Sequence, residues 1–176
     1  MAESDHSSSA VRPVRPSEVE ALRALRIEAL RCCPVAFTAD LSEAETRPLD
    51  AWRDQVTRGG GDGTELILVA AEGEHLAGMT GVWAPKSGKC AHVGTVWGVY
   101  VRPPFRGRGL AERMILAGIE WARTISLLRL KLSVVEGNDR ARRCYERCGF
   151  TAYGIERAAV RWDDRMYDEV LMGREV

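Results

Sequence analysis

One segment constrains the fold more than any other, because a strand stops at two prolines and the chain then enters a helix through a glycine-rich turn. It runs from Val99 to Ala111 and reads VYVRPPFRGRGLA. Helix N-termini leave several backbone N–H groups without partners and carry partial positive charge. Gly107 and Gly109 have no side chains, so an anion can approach those amides closely. The segment therefore predicts a diphosphate site held mostly by backbone, with Arg106 and Arg108 as auxiliary charges.

Two better-known phosphate loops do not fit these residues. A G-x-G-x-x-G fingerprint would need a third glycine where Glu112 stands, and a Walker loop would need Gly-Lys-Ser/Thr, which does not follow. The alternative is a purely structural strand-to-helix turn whose arginines are solvated. Taken alone, the segment leaves both interpretations open.

The hydrophobic periodicity predicts the order strand, two helices, three strands, helix, strand, helix, two strands. Capping boxes of the form S-x-x-E, at Ser17 and Ser42, are expected to start the first two helices. Tight turns predict an antiparallel meander for the three central strands, and the segment Cys90–Val135 predicts a parallel crossover. The fold class is therefore α+β, with a mixed, mostly antiparallel central sheet flanked by helices.

Composition narrows the function classes. The chain has 176 residues with 25 basic and 25 acidic side chains, a balance that argues against nucleic-acid and membrane-surface binding. Residues 1–10 are acidic and serine-rich and predict a disordered tail before a single domain over residues 11–176. The cysteine count is odd, at five, which argues against a disulfide framework and favours a cytoplasmic protein. No ligand cluster with metal-binding spacing is present, so no metal is expected.

A second motif lies downstream of the glycine-rich turn and reads NxxAxxxYxxxGF from Asn138. The first motif, RxxGxA from Arg106, resembles the pyrophosphate loop of the GNAT superfamily of acyl-CoA-dependent N-acyltransferases. The second resembles another conserved segment of that family. Both stand in the expected order with a strand between them, and the element order matches from about Val11 onwards. The chain is thus identified by resemblance as a member of the GNAT superfamily.

The resemblance implies that pantetheine inserts between the fourth and fifth strands, where Val99 and Val101 would bond its amides. Backbone amides from Arg106 through Ala111 would hold the diphosphate, and Asn138 and Ala141 would line the opposite wall. Backbone N–H donors near Val99 or Tyr100 could stabilise the carbonyl oxygen during acyl transfer. The residues implied to contact acetyl-CoA are Val99, Tyr100, Val101, Arg106, Gly107, Arg108, Gly109, Leu110, Ala111, Asn138, Ala141 and Tyr145.

Tyr145 is the residue that the resemblance suggests as general acid, protonating the departing thiolate of CoA. A phenol of pKa ~10 and a thiol of pKa ~8.5 are matched well enough for proton transfer once they are positioned. The same tyrosine shares a helix face with Ala141 and Cys148, so its ring is also expected to pack in the core.

The general base is not identified by the sequence. Relatives often place a carboxylate on the long strand, but here Thr95 and Trp97 occupy the inward positions. A water-mediated path is therefore the favoured hypothesis, and neither His92 nor Glu65 is assigned the role.

The acceptor pocket is expected between the connection of the first two helices and the last hairpin. Phe37 and Trp52 are predicted to wall it, with Trp97 and Tyr153 as additions, although aromatic residues are more often core. Acidic residues at Asp40, Glu43 and Glu45 could attract an amine cation or simply complement a helix dipole.

The sequence thus favours transfer of an acetyl group from acetyl-CoA to a primary amine, in a small molecule or a peptide, by direct attack on the thioester. The alternative is a non-catalytic acyl-CoA sensor on the same fold, suggested by the absent strand carboxylate. Nucleic-acid binding through the arginines of residues 140–147 is disfavoured, because no aromatic platform accompanies them. Because relatives are frequently dimers, the resemblance also allows a homodimer.

Overall fold

The computed structural model describes residues 9–61, 63–86 and 88–176, and all but the last two residues of the predicted tail lie outside them. No described helix has the length and apolarity needed to cross a membrane. The strands are β1 (Ala10–Pro13), β2 (Glu65–Glu72), β3 (His75–Trp83), β4 (Val93–Val101), β5 (Arg129–Val135), β6 (Thr151–Trp162) and β7 (Arg165–Glu175). The α-helices are α1 (Val19–Cys32), α2 (Leu41–Thr46), α3 (Leu49–Arg58), α4 (Leu110–Thr124) and α5 (Asp139–Arg147).

The strands form one seven-stranded sheet in the order β1-β2-β3-β4-β5-β7-β6. Only β4 and β5 pair in parallel, and every other neighbouring pair is antiparallel. The predicted meander, the parallel crossover and the mixed, mostly antiparallel sheet are therefore confirmed.

Helices cover both faces of the sheet, because successive side chains of a strand point to opposite faces. In β2, Ile67 and Val69 join a core cluster with Leu22 and Leu25 of α1. Ala70, the residue after Val69, packs instead against residues of α4, among them Met114. The two cores are thus separated by the sheet, with α1 to α3 on one face and α4 on the other.

The helix starts differ from the predicted capping boxes. Pro16 begins a 3₁₀ turn that already contains Ser17, and Glu18 accepts a hydrogen bond from the Arg15 N–H (2.8 Å), so α1 begins only at Val19. At α2 the cap is Asp40, whose carboxylate accepts from the Ser42 N–H at 2.7 Å. A charged acceptor is favoured at the positive end of a helix, which explains why the aspartate and not the serine caps it.

The predicted second helix is in fact two. α2 ends at Thr46, and Pro48 precedes a separate helix, α3. Proline lacks an N–H and restricts the residue before it to extended conformations, so the chain turns there before helix can resume.

A β-bulge distorts the long central strand. The pairing shifts by one residue between Met79–Tyr100 and Gly81–Trp97, so β4 carries an extra residue there. Gly98 takes a left-handed conformation, with φ of +65°, which glycine adopts at no steric cost. Bulges bend a strand and interrupt its pairing. The distortion places β4 so that it leaves its parallel neighbour soon after their pairing begins.

Candidate active site

A wedge opens between β4 and β5. The two strands pair only where Val93–Thr95 lies beside Arg129–Lys131. β5 continues to pair with β7 as far as Val135, so the edge of β5 that faces β4 is left without a strand partner. A cleft of about 80 Å³ lies between the diverging strands. Two facing edges with unpaired backbone groups can accept an extended chain between them.

Val99 lines this wedge, and Val101 lines a neighbouring cavity. The Arg102 N–H donates to the Ala77 carbonyl in β3 at 2.9 Å. Because backbone groups alternate in direction along a regular strand, the groups of the preceding residue, Val101, point away from β3. The Val101 carbonyl accepts a hydrogen bond from Nε of Arg106 (2.8 Å), on the side away from that strand. The Val101 backbone thus faces away from β3, and the bonds to pantetheine that the resemblance implied for both valines stay predictions.

The glycine-rich turn leaves a row of free amides at the start of α4. Gly107 and Gly109 have φ of +83° and +71°, and a Cβ added at either would meet no atom within 4 Å. No side chain caps α4, whose first backbone hydrogen bond runs from the Arg113 N–H to the Gly109 carbonyl (3.0 Å). The Arg106 amide is not free, because it donates to the Pro103 carbonyl at 3.2 Å. The anion site predicted from Arg106 onwards thus begins at Gly107.

The two arginines of the turn behave differently. Arg106 lies over the Tyr100 ring, with 5.8 Å from its guanidinium carbon to the ring centroid, and lines the neighbouring cavity. Arg108 turns away from that cavity and forms an ion pair with Glu72 (3.2 Å) while covering the Phe105 ring. Of the two auxiliary charges that the sequence suggested, the structure therefore brings only Arg106 to the site.

A cavity of about 510 Å³ joins this turn to α5 and to the connection after α1. Every residue implied to contact acetyl-CoA lines it except Arg108. Phe37, which was predicted for the acceptor pocket, also lines it. The lining residues that the sequence did not identify are Cys33, Ala36, Phe105, Glu112, Arg140, Cys144 and Arg147. The cavity and the wedge adjoin each other, because they share the lining residues Ala36, Phe37, Val99, Asn138, Ala141 and Tyr145.

Two arginines of α5 add positive charge to the cavity. Arg140 and Arg147 both line it, and Arg147 forms an ion pair with Glu112 of α4 at 3.0 Å. From the sequence, these arginines are considered only as a nucleic-acid-binding cluster, which is disfavoured. Their spacing with Cys144, at i, i+4 and i+7, places all three on one side of the helix and could have predicted the arrangement.

Tyr145 contributes a protonated, unengaged hydroxyl. The residue is 8% exposed, and its ring packs edge-on against Phe150 with 6.5 Å between centroids. Burial raises the pKa of Tyr145 above its ordinary value of 10. The hydroxyl makes no hydrogen bond to any other residue that the structure describes, yet the side chain lines both cavity and wedge. The ring of Tyr145 is therefore packed, as the helix pattern predicted, while its hydroxyl is available as a hydrogen-bond donor.

Asn138 and Ala141 form the opposite wall through the start of α5. The Asn138 side-chain oxygen accepts from the Ala141 N–H at 3.2 Å and caps the helix. Ala141 carries only a methyl group where the cavity meets the wedge. The passage between the two stays open at that point because the side chain is small.

The aromatic residues proposed for the acceptor pocket separate into two groups. Trp52 and Trp97 line a second cavity of about 210 Å³ between the first three helices and β4, and Trp97 also borders the wedge. Phe37 lines the wedge and the large cavity. Tyr153 is 52% exposed on β6, where the Arg129 guanidinium covers its ring, and it borders none of these spaces. The structure therefore brings three of the four together.

No carboxylate borders the wedge among the described residues. His92 is exposed, and Glu65 forms an ion pair with Arg58 at 3.6 Å away from the wedge. The described residues also contain no group of three or more His, Cys, Asp or Glu side chains placed to hold a metal ion.

A family model described as "Acetyltransferase (GNAT) family" matches residues 22–150. Among proteins of similar sequence, the mycothiol acetyltransferase of Rhodococcus jostii is 30% identical over 122 residues. That alignment takes in 68% of this chain but only 37% of the relative, so this chain spans well under half the relative's length.

Solved structures share the fold at low sequence identity. An acetyltransferase of the GNAT family from Streptococcus pneumoniae superposes with a TM-score of 0.84 at 20% identity, covering 95% of this chain and 98% of the other. The structure of yncA from Salmonella typhimurium with its cofactor acetyl-CoA gives a TM-score of 0.79 at 18% identity, covering 96% and 94%.

Proposed function

This chain belongs to the acetyltransferase (GNAT) family, and from that premise we propose that it transfers the acetyl group of acetyl-CoA to a primary amine. One observation carries the proposal. The free amides of the glycine-rich turn border the 510 Å³ cavity, this cavity adjoins the strand wedge, and Tyr145 lines both spaces. A diphosphate, an extended amide-bearing arm and a thioester follow one another in that order along acetyl-CoA.

The residues present fit this co-substrate. Amides of Gly107 to Glu112 can donate to the diphosphate, because a helix N-terminus favours an anion and the glycines leave the approach open. Arg106 and Arg140 line the same space and form no ion pair with described residues, so their charges are available to phosphate oxygens. Val99 and Val101 supply backbone groups for the amides of the arm.

The chemistry requires the amine nitrogen to attack the thioester carbonyl carbon, forming a C–N bond while the C–S bond breaks. A backbone N–H near Val99, which lines the wedge, can donate to the carbonyl oxygen as it gains charge, an effect worth roughly 3 kcal/mol. Tyr145 gives its proton to the departing sulfur. The proton that the amine loses leaves through water and ultimately restores the tyrosine, so no carboxylate is needed at the wedge.

An acyl-CoA sensor would need the same binding path but no proton donor at its end. The free Tyr145 hydroxyl at the wedge supports the enzyme over the sensor. We place the reaction in the cytoplasm, because all five cysteines are unpaired. This chain matches less than half of a mycothiol acetyltransferase relative, so the name of that relative does not identify the acceptor of this chain.

Acetyl-CoA is expected to raise the melting temperature of the protein by mass action. At 100 times its Kd, a ligand that binds only the folded state stabilises it by about 2.7 kcal/mol. A thermal-shift titration checks this, with duplex DNA as the comparison ligand that produces no shift. A thiol-release assay over a panel of primary amines then separates the enzyme from the sensor. A clear acetyl-CoA shift with no thiol release from any amine would favour the sensor.

Replacing Gly109 by alanine tests the anion site. The left-handed backbone at Gly109 strains any L-residue, at a cost of about 1–2 kcal/mol. Its Cβ would also enter the open space beside the amides, so the Kd for CoA is expected to rise at least tenfold. Gly73→Ala is the matched control, because Gly73 also has positive φ (+61°) and open space around it, but lies in the β2–β3 turn. Equal losses of CoA affinity in both variants would contradict the assignment.

A further inference from the structure

The second cavity is lined by a half-buried arginine that has no hydrogen-bonding partner in the described part of the chain. Arg26 of α1 forms no hydrogen bond or ion pair with any described residue, and its Nη1 is inaccessible to solvent. Burial lowers the pKa of Arg26 from its ordinary value of 12.5 to about 10, so the group remains charged at neutral pH. Buried charges are normally paired, because removing an ion from water is costly. An unpaired guanidinium in a cavity wall therefore indicates a missing anionic partner.

Two aromatic rings hold this guanidinium at the bulge of β4. Its central carbon lies 4.8 Å from the centroid of Phe37 and 5.8 Å from that of Trp97. A methyl group placed at Gly98 would lie 3.5 Å from its Nη1. Arg26 therefore reaches the edge of the wedge from the α1 face of the sheet, while Tyr145 reaches it from α5.

The neighbouring carboxylates are engaged elsewhere or lie at the cavity rim. Glu28 binds the Tyr100 hydroxyl (3.0 Å) and Arg102 (2.9 Å). Asp40 caps α2 and Glu43 is exposed, although both border the cavity. No described carboxylate comes within 4 Å of the Arg26 guanidinium.

The other arginines near the cavity have partners of their own. Arg47 donates to Gln55 (2.7 Å) and to the Ala51 carbonyl (2.8 Å), and Arg23 donates to the Glu45 carbonyl (2.9 Å). Arg26 is thus distinguished from them by having none.

We propose that Arg26 binds the carboxylate of the acceptor, so that the acceptor is a small amine that also carries a carboxylate, of the size of an amino acid. The cavity volume of about 210 Å³ suits a molecule of that size. A planar guanidinium matches the two oxygens of a carboxylate. Asp40 and Glu43 at the rim would favour entry of the ammonium group. Trp97 lines both this cavity and the wedge, so the amine would pass beside it to reach the thioester. The inference rests on the proposed acetyl transfer and names its acceptor class.

The test compares each L-amino acid with its α-carboxamide in the thiol-release assay. The amine of the carboxamide deprotonates more readily, so chemistry without Arg26 would favour the amide. For the best acceptor, kcat/KM is expected to be about 100-fold higher for the acid, since a hydrogen bond to a buried charge contributes up to about 3 kcal/mol. Arg26→Gln should remove this preference, because kcat/KM for the acid is expected to fall about 100-fold relative to that for the carboxamide. Arg31→Gln, on the same helix but in an exposed pair with Glu45, is the matched control.

Three results would overturn the inference. The first is an equal kcat/KM for acid and carboxamide in the unaltered protein, and the second is an undiminished preference for the acid in Arg26→Gln. The third is the absence of thiol release with every amino acid although acetyl-CoA binds. The first comparison needs no variant, so it holds even if Arg26→Gln does not fold. Failure of acetyl-CoA to shift the melting temperature would instead contradict the proposed function, which keeps the two failures distinguishable.

Discussion

Replacing Tyr145 by phenylalanine is expected to lower kcat by about 10²- to 10⁴-fold, the usual contribution of a positioned general acid. The hydroxyl is the only group removed, and it makes no hydrogen bond to another described residue. The packing of the ring against Phe150 is retained, because phenylalanine keeps the same ring. The Kd for CoA should therefore stay within about twofold and the melting temperature should hardly change.

The pH profile provides an independent check of the same assignment. A raised pKa keeps Tyr145 protonated, and hence able to donate, through the range in which an ordinary tyrosine would begin to ionise. We therefore expect kcat of the unaltered protein to show no fall up to about pH 10 from loss of this acid. Tyr153→Phe is the matched control, since Tyr153 lies on the exposed side of β6. Unchanged turnover in Tyr145→Phe, when chemistry limits the rate, would remove Tyr145 from the mechanism.

Periodicity predicted the sheet because its signal is local. Runs of β-branched and apolar residues between tight turns indicate the meander of β2 to β4. The helix between β4 and β5 indicates that these two strands are joined by a crossover. Helix starts were harder to predict, since Ser42 and Asp40 are both good caps and only the folded chain decides between them. β4 begins at Val93, three residues after the start of the predicted crossover segment at Cys90, because the turn before it continues through His92.

The site was predictable where it consists of backbone and unpredictable where it depends on side-chain direction. Gly107 and Gly109 have a single conformational reason to stand before a helix, and the structure places both as expected. Arg106 and Arg108 look alike in the sequence, but a distant carboxylate, Glu72, draws one of them away from the cavity. Arg26 lies next to the apolar stripe of α1. Its lack of a hydrogen-bonding partner among the described residues depends on the tertiary fold, which the sequence pattern of one helix does not show.

Enlarging Ala141 to phenylalanine is expected to raise the Kd for CoA by at least 100-fold and to abolish the acetyl-CoA thermal shift. Ala141 borders both the large cavity and the wedge, so the added ring would stand where the arm of the co-substrate must pass. The side chain is half-buried and faces open space, and phenylalanine lowers helix propensity only modestly. The fold should therefore persist while binding fails, which isothermal titration with CoA measures directly.

Ala24→Phe supplies the matched control, since Ala24 is an exposed alanine on α1 and the same ring is added far from the wedge. Comparable circular dichroism of both variants would show that the loss in Ala141→Phe is local. The contrast with Tyr145→Phe is informative, because one change should remove binding and the other only turnover. If Ala141→Phe bound CoA normally, the co-substrate would not pass between β4 and α5, and the roles proposed for Val99, Val101 and Tyr145 would fail together.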